Sequence, residues 1–212
     1  MKVLFVNGSS HIHGTTMKAL EEMIKIFEEE KIETEVIQLG GKPLADCTQC
    51  NSCQKTGQCV FKEDGVNEFV AKAREADGFV FATPVYFAHP SGRIFSFLDR
   101  AFYSNGKDEV YEAFQFKPSA AVVVARRGGT TAALDALNKY FGIAQMPVAG
   151  STYWNMVHGL YADFAGRRRN ADHAKSCKKY GVDDEMFFGR KTKRCSISSD
   201  RNKCLHQFYQ AE

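Results

Sequence analysis

Residues 2–16, KVLFVNGSSHIHGTT, decide the fold. The apolar run Val3–Val6 has no polar alternation, which suits a strand buried on both faces of a parallel sheet. It ends in Gly8-Ser9-Ser10. From Thr15 to Glu30 the period changes to that of a helix, with Met17, Leu20, Met23, Ile24 and Phe27 on one side and Glu and Lys elsewhere. A buried strand, a glycine–serine loop and an amphipathic helix together open a βαβ unit.

The same alternation continues along the chain. Glu33–Leu39 (ETEVIQL) reads as a second strand, and residues 40–62 as a long loop. Val66–Glu75 suits a helix and Gly78–Ala82 (GFVFA) an apolar strand that stops at Thr83-Pro84. Ser91–Tyr103 follows as a helix, Ser119–Ala125 (SAAVVVA) as a strand, Thr130–Phe141 as a helix and Pro147–Ser151 as a last short strand. Five strands alternating with helices imply right-handed crossovers and an all-parallel sheet. The expected class is α/β, a flavodoxin-like three-layer sandwich with a five-stranded parallel sheet in the order 2-1-3-4-5. Residues 1–160 form this domain, with a loop at 43–62 inserted in it. No internal repeat or linker divides it.

Bulk properties agree with one soluble domain. The 212 residues suffice for a full core, and 44% hydrophobic with 25% charged is ordinary for a globular protein. No apolar run approaches the roughly 20 residues needed to span a bilayer, and the chain enters a strand at once rather than a signal peptide. A cytoplasmic home and no membrane partner are expected. The net charge of +3 divides unevenly: residues 1–160 carry 16 Lys+Arg against 18 Asp+Glu, and residues 161–212 carry 12 against 7. The basic excess lies in the tail rather than across a folded face, which argues against a nucleic-acid partner.

Three loops fall at the carboxyl ends of strands, where open α/β sheets bind ligands. The first, Gly8–Thr16, offers hydroxyls and backbone N–H groups at a helix start. That suits a phosphate held by Ser9, Thr15 and Thr16 without a basic charge, or else a plain helix cap at Thr15 or Thr16. It matches neither Walker A nor GxGxxG. His11 and His13 read as loop residues rather than metal ligands. The second loop, Thr83–Gly92 (TPVYFAHPSG), lies at the topological switch point. There Tyr86 can pack on a flavin, whereas Phe87 reads as cover for the following helix. The third, Arg126–Thr131 (RRGGTT), puts glycines where backbone can approach a flat ring. Its guanidinium groups suit negative charge on reduced flavin or a nicotinamide phosphate, or else simply face solvent.

Seven cysteines without a secretory signal argue against a disulfide framework. Four fall in the run Cys47-x2-Cys50-x2-Cys53-x5-Cys59. Structural zinc usually shows two separated CxxC pairs. Successive x2 spacings resemble the compact iron–sulfur run, here a [4Fe–4S] cluster. Zinc and free thiols are the alternatives.

In combination GSSHIHGTT, CTQCNSCQKTGQC with VFKEDG, ATPVYFAHPSGRIFSFLDR, ARRGGTTAALDALNKYFG and GSTYWNMVHG, spread over residues 1–159, resemble the NADPH-dependent FMN reductase family, and within it the iron–sulfur flavoprotein branch. The resemblance implies non-covalent FMN, NAD(P)H as co-substrate, electron transfer through flavin N5 and a homodimer or tetramer. By position, Ser9, Ser10, Gly14, Thr15 and Thr16 would hold the FMN phosphate. Pro84, Val85, Tyr86 and Phe87 would border the isoalloxazine, and Arg126, Arg127, Gly128, Gly129 and Thr130 would close over it. Tyr153, Trp154 and Asn155 would line the substrate face. Two departures stand out: His11 replaces a basic residue common in relatives, and Asp64-Gly65 replaces an Asp-Met pair.

The expected activity is an FMN-dependent oxidoreductase that passes electrons from NAD(P)H or another donor to a small acceptor such as free flavin, a quinone or an aromatic compound. No catalytic side chain is assigned, because the cofactor supplies the hydride chemistry. The rivals are an iron–sulfur flavoprotein exchanging electrons with ferredoxin, and a zinc-stabilised binding protein.

Residues 161–212 break the pattern. A further helix should cover the sheet edge, yet the segment shows Arg167-Arg168-Arg169, scattered cysteines and no sustained apolar stripe. It reads as a family-specific extension or basic tail, or as the product of a frame change near Leu160. Permitted codons for Arg167–Phe187, with the first base dropped, encode DEEMQTMRNLAKNMAWMMKC. That is an amphipathic helix with an acidic first turn, resembling the family's closing helix. No site is assigned beyond Gly159.

Overall fold

The computed structural model describes residues 1–107, 110–150 and 154–158. The main sheet is built from β1 (Lys2–Asn7), β2 (Glu33–Gln38), β3 (Gly78–Pro84), β6 (Ser119–Ala125) and β7 (Met156–His158). A small antiparallel pair, β4 (Gly106–Lys107) and β5 (Val110–Tyr111), stands apart from it. The helices are α1 (Thr15–Glu29), α2 (Ser52–Thr56), α3 (Val66–Glu75), α4 (Gly92–Ser104) and α5 (Thr130–Ile143). The five main strands run parallel in the order β2-β1-β3-β6-β7. Counted along the main sheet, that is the order expected from the sequence.

Strand period explains the layers. Val3 and Phe5 of β1, Val80 and Ala82 of β3, and Ala120, Val122 and Val124 of β6 point to one face, where Leu20, Met23 and Phe27 of α1 meet them. Their neighbours Leu4, Val6, Phe79, Phe81, Ala121 and Val123 point to the other face, against α3, α4 and α5. An aromatic cluster fills that second layer. Phe69 of α3 lies 4.9 Å from Phe97 and 6.3 Å from Phe81, and Phe102 stacks on Phe114 at 4.2 Å with nearly parallel rings.

The last strand departs from the sequence reading. Of the expected Pro147–Ser151, the described residues 147–150 do not form it. Val148 makes only an isolated parallel bridge to Ser119, the first residue of β6, and β7 pairs instead with the far end, Val123–Ala125. The edge strand is therefore split. Pro147, which has no N–H to give a ladder, starts the first piece, and the chain leaves the sheet beyond Ala149. The loop at 40–62 also gains a short helix, α2. Tyr153 and the tail from Gly159 onward, including the frame-change reading, lie outside the described residues. No helix among the described residues is long and apolar enough to cross a membrane.

Candidate functional site

Three loops meet at the carboxyl ends of β1, β3 and β6. Asn7, at the end of β1, is wholly buried. Its Oδ1 accepts from the Ser9 N–H (3.0 Å), and its Nδ2 donates to Gln38 Oε1 (2.7 Å) at the end of β2. Gln38 Nε2 returns to the Ser9 carbonyl at 2.7 Å. Gly8 donates its N–H to the Ala82 carbonyl at 2.8 Å, and a Cβ there would lie 2.9 Å from that oxygen and 3.0 Å from Ile94 Cβ. Only glycine passes through this gap. From α4, Ser91 Oγ donates to the Gly8 carbonyl at 2.8 Å.

The loop so held delivers the chain to α1. The helix cap is Gly14, and no side chain caps it. The alternative of a Thr15 or Thr16 side-chain cap is thus excluded: Thr15 and Thr16 open the helix itself. The first-turn N–H groups and the positive end of the helix dipole are left for an anion. Ser9 Oγ, buried, accepts from the His11 N–H at 3.1 Å. By contrast α4 is closed by Ser91, whose Oγ accepts from Ile94 N–H.

The second loop folds back on itself. Val85 donates to the Val124 carbonyl at 2.7 Å, Tyr86 to His89 at 3.1 Å, and Ser91 to Pro84 at 3.1 Å. Its tip leaves Tyr86 58% and Phe87 96% exposed. Phe87 therefore covers no helix, contrary to the simpler sequence reading. Tyr86 OH lies 3.3 Å from Ser10 Oγ, which joins the second loop to the first. The third loop touches the second through backbone. Gly129 has φ +95°, and a Cβ there would lie 2.8 Å from the Ala88 oxygen and 3.0 Å from Val85 Cγ1. Arg126, Arg127 and Gly128 are exposed, while Thr130 is buried at the start of α5. Trp154 is exposed, and the Asn155 carbonyl accepts from Val123 N–H at 3.0 Å.

An open helix start beside an exposed aromatic shelf is the donor set for a phosphate joined to a planar ring. Glycines at positions 8 and 129 let the first loop pack on β3 and α4, and the third loop on the second, at distances no side chain would permit.

A second concavity lies along α4. Cys47, Cys50, Cys53 and Cys59 line one recess of about 310 Å³, counted out to open solvent, with Arg100 and Tyr103 in its wall. Cys53 is buried, Cys59 half-buried, and Cys47 and Cys50 exposed; all four are free thiols. Gln49 (φ +51°) and Asn51 (φ +58°) are left-handed, the alternation that turns successive backbone N–H groups into an anion-binding concavity. Burial pushes the Cys53 thiol up, and charge on the other three cysteines adds to this. Hydrogen bonds from Ser52, first its N–H and then its hydroxyl, draw Cys50 down toward the thiolate. Among the described residues, no three His, Cys, Asp or Glu side chains stand close enough together to hold a single metal ion.

With both concavities placed, comparison with known proteins decides the family. The NADPH-dependent FMN reductase family model matches residues 1–160. The chain belongs to that family. An iron–sulfur flavoprotein of Methanocaldococcus jannaschii is 33% identical over 154 residues, 71% of this chain and 76% of the relative. Among solved structures, the apo form of the NADH:FMN oxidoreductase EMOB is similar with a TM-score of 0.60 at 16% identity, over 85% of this chain and 88% of that one. A flavodoxin from the domain Archaea matches with a TM-score of 0.55 at 15% identity, over 86% of this chain and 95% of that one. At such identities the two structures speak for the fold alone. As a member of the FMN reductase family the chain is an FMN-dependent oxidoreductase.

Several residues that shape these sites carry no motif. Asn7 and Gln38 sit at strand ends, and their pairing is visible only once β1 and β2 are in register. Arg100 lies in an amphipathic helix and carries no binding motif that would mark it. A charged residue on the apolar side of α4, among Phe97, Leu98 and Ala101, was the available signal.

Proposed function

We propose that this member of the FMN reductase family is an iron–sulfur flavoprotein that takes electrons from NAD(P)H or a ferredoxin and delivers them to a small acceptor. FMN supplies the hydride and single-electron chemistry when bound. The chain positions it: Ser9, Ser10, Gly14, Thr15 and Thr16 with the open start of α1 take the phosphate. Pro84, Val85, Tyr86 and Phe87 border the ring, and Arg126, Arg127, Gly128, Gly129 and Thr130 close its far side. Trp154 and Asn155, with Tyr153 before them, face the substrate. The observation that carries this reading is the joining of the first loop to the second through Ser10 and Tyr86, and of the second to the third through Ala88 and Gly129.

Cys47, Cys50, Cys53 and Cys59 take a [4Fe–4S] cluster. A lone zinc ion, at about 2.3 Å from each sulfur, draws its ligands into a tight tetrahedron. Four cysteines that line one recess at the x2, x2 spacing of the compact iron–sulfur run suit a body of several iron and sulfide atoms. The protein works as a cytoplasmic homodimer or tetramer. Anaerobic protein is assayed for iron and sulfide and then mixed with NADPH, NADH or reduced ferredoxin. About four iron per chain with bleaching of the flavin bands is expected. Bound flavin that neither nucleotide nor ferredoxin reduces would sink the proposal.

A further inference from the structure

Arg100 stands at the centre of the cysteine loop. It lies on α4 and is 1% exposed, the bulkiest of the fully buried side chains. A guanidinium has five N–H donors in a fixed fork, and here all five are spent on one segment. Nε–H donates to Cys59 Sγ at 3.3 Å. Nη1 donates to the Ala45 carbonyl at 3.2 Å and to Asp64 Oδ2. Nη2 donates to the Phe61 carbonyl at 3.2 Å and to Asp64 Oδ1 at 3.0 Å. The Phe61 ring lies under the guanidinium carbon at 4.8 Å. These acceptors span residues 45–64, so one side chain ties together both ends of the segment that carries the cysteines.

The chemistry of the fork selects Arg over Lys, since a lysine offers three donors on one nitrogen and cannot meet acceptors in five directions. Asp64 makes the burial tolerable, because an unpaired cation there would be strongly penalised. Burial disfavours the charge, but Asp64 and Cys59 outweigh it and hold the guanidinium protonated above its ordinary range. Supporting contacts come from α3 and α4. Asn67 Oδ1 accepts from the Cys59 N–H at 2.8 Å, and Ser96 Oγ donates to Asp46 beside Cys47.

We propose that Arg100 is a positioning residue that folds residues 45–64 into their ligating shape before any metal enters, and that its Nε–H donates to the Cys59 sulfur to make the bound cluster easier to reduce. The second half rests on the cluster reading given above. The first half does not. A hydrogen bond to a ligating sulfur stabilises the more negative, reduced state of the centre and raises its potential.

The test uses the full chain with FMN bound, in Arg100→Lys and in the double variant Arg100→Met/Asp64→Asn, which leaves no buried charge unpaired. Flavin content reports that the fold persists, since Arg100 does not touch the loops proposed to hold FMN. In metal-free protein, amide exchange at Gly57 and Cys59 should quicken by about tenfold or more in both variants, as expected for losing charged hydrogen bonds. Amides of β1 and β3 should be unchanged. In protein reconstituted with iron and sulfide, the cluster midpoint should become more negative in the double variant. Exchange in residues 45–64 equal to wild type would overturn the positioning role. An unshifted potential would overturn the tuning role. Wild-type protein that takes up no iron would refute the cluster reading, while the exchange measurement would still decide the positioning role.

Discussion

Gly129→Ala probes how the second and third loops are joined. Gly129 has φ +95°, where an L side chain costs about 1–2 kcal/mol. The added methyl would also lie 2.8 Å from the Ala88 oxygen and 3.0 Å from its Cα, both backbone atoms that cannot rotate away. Overpacking of this kind costs roughly 1–3 kcal/mol. The sum, about 2–5 kcal/mol, should lower Tm by at least about 4 °C in a domain of this size. Relief requires the 85–90 loop to move outward, which carries Val85 and Tyr86 away from the ring they are proposed to border. A loss of about 1.4 kcal/mol in binding is tenfold in affinity. The assay is quenching of free FMN fluorescence by deflavinated protein, with thermal unfolding measured with and without FMN. Gly142→Ala, near the other end of α5, is the control: nothing lies within 4 Å of its added methyl, and alanine favours the helix. The reasoning fails if the two variants match in both FMN affinity and Tm.

Gln38→Leu should leave the Ser9 carbonyl and Asn7 Nδ2 without partners, at a cost of about 1–3 kcal/mol. FMN titration should then show weaker binding, because Gln38 is not itself proposed to touch FMN but holds Ser9, which is. Phe69→Ala removes a ring that meets Phe79, Phe81, Phe97 and Phe114, so denaturant unfolding should show a loss of about 3–5 kcal/mol. Burial, with the hydrogen bond to Asp99 second, pushes the Tyr140 hydroxyl well above the usual tyrosine range. Its contribution is therefore complete below about pH 10, the unfolded value, and is lost as pH rises beyond that. Unfolding measured between pH 9 and pH 11 should show wild type losing stability more steeply than Tyr140→Phe.

The parts of this molecule legible in its sequence are those written in local period. Val3–Val6, Gly78–Ala82 and Ser119–Ala125 are apolar without interruption because both faces of these strands are covered, and they fall where they were expected. The split edge strand was not legible. Pro147–Ala149 and Met156–His158 are both short, and which of them pairs with the end of β6 depends on register with a neighbour. The same limit governs the sites. Gly8 and Tyr86 sit in recognisable turns, but their contacts with Ala82 and Ser10 need β1 and β3 in register. For Phe87, a preference for covering apolar residues pointed to a buried role, and the folded loop instead holds the ring out in solvent.

Helix α4 shows why the two concavities belong to one device. Its start fixes the loop of the proposed FMN site through Ser91 and Gly8, and residues further along it fix the cysteine loop through Ser96 and Arg100. Ser91 and Arg100 are nine residues apart, about 13 Å along a helix at 1.5 Å per residue. Ile94, Phe97 and Leu98 between them are buried in the core that carries β1 and β3. The spacing of the two loops is thus set by a packed helix rather than by the loops themselves. A flexible connection would let that distance vary, whereas a packed interior has two-sided contacts that resist displacement. If the cysteine loop takes the proposed cluster, its separation from the proposed flavin within the chain is set by the length of α4 from Ser91 to Arg100.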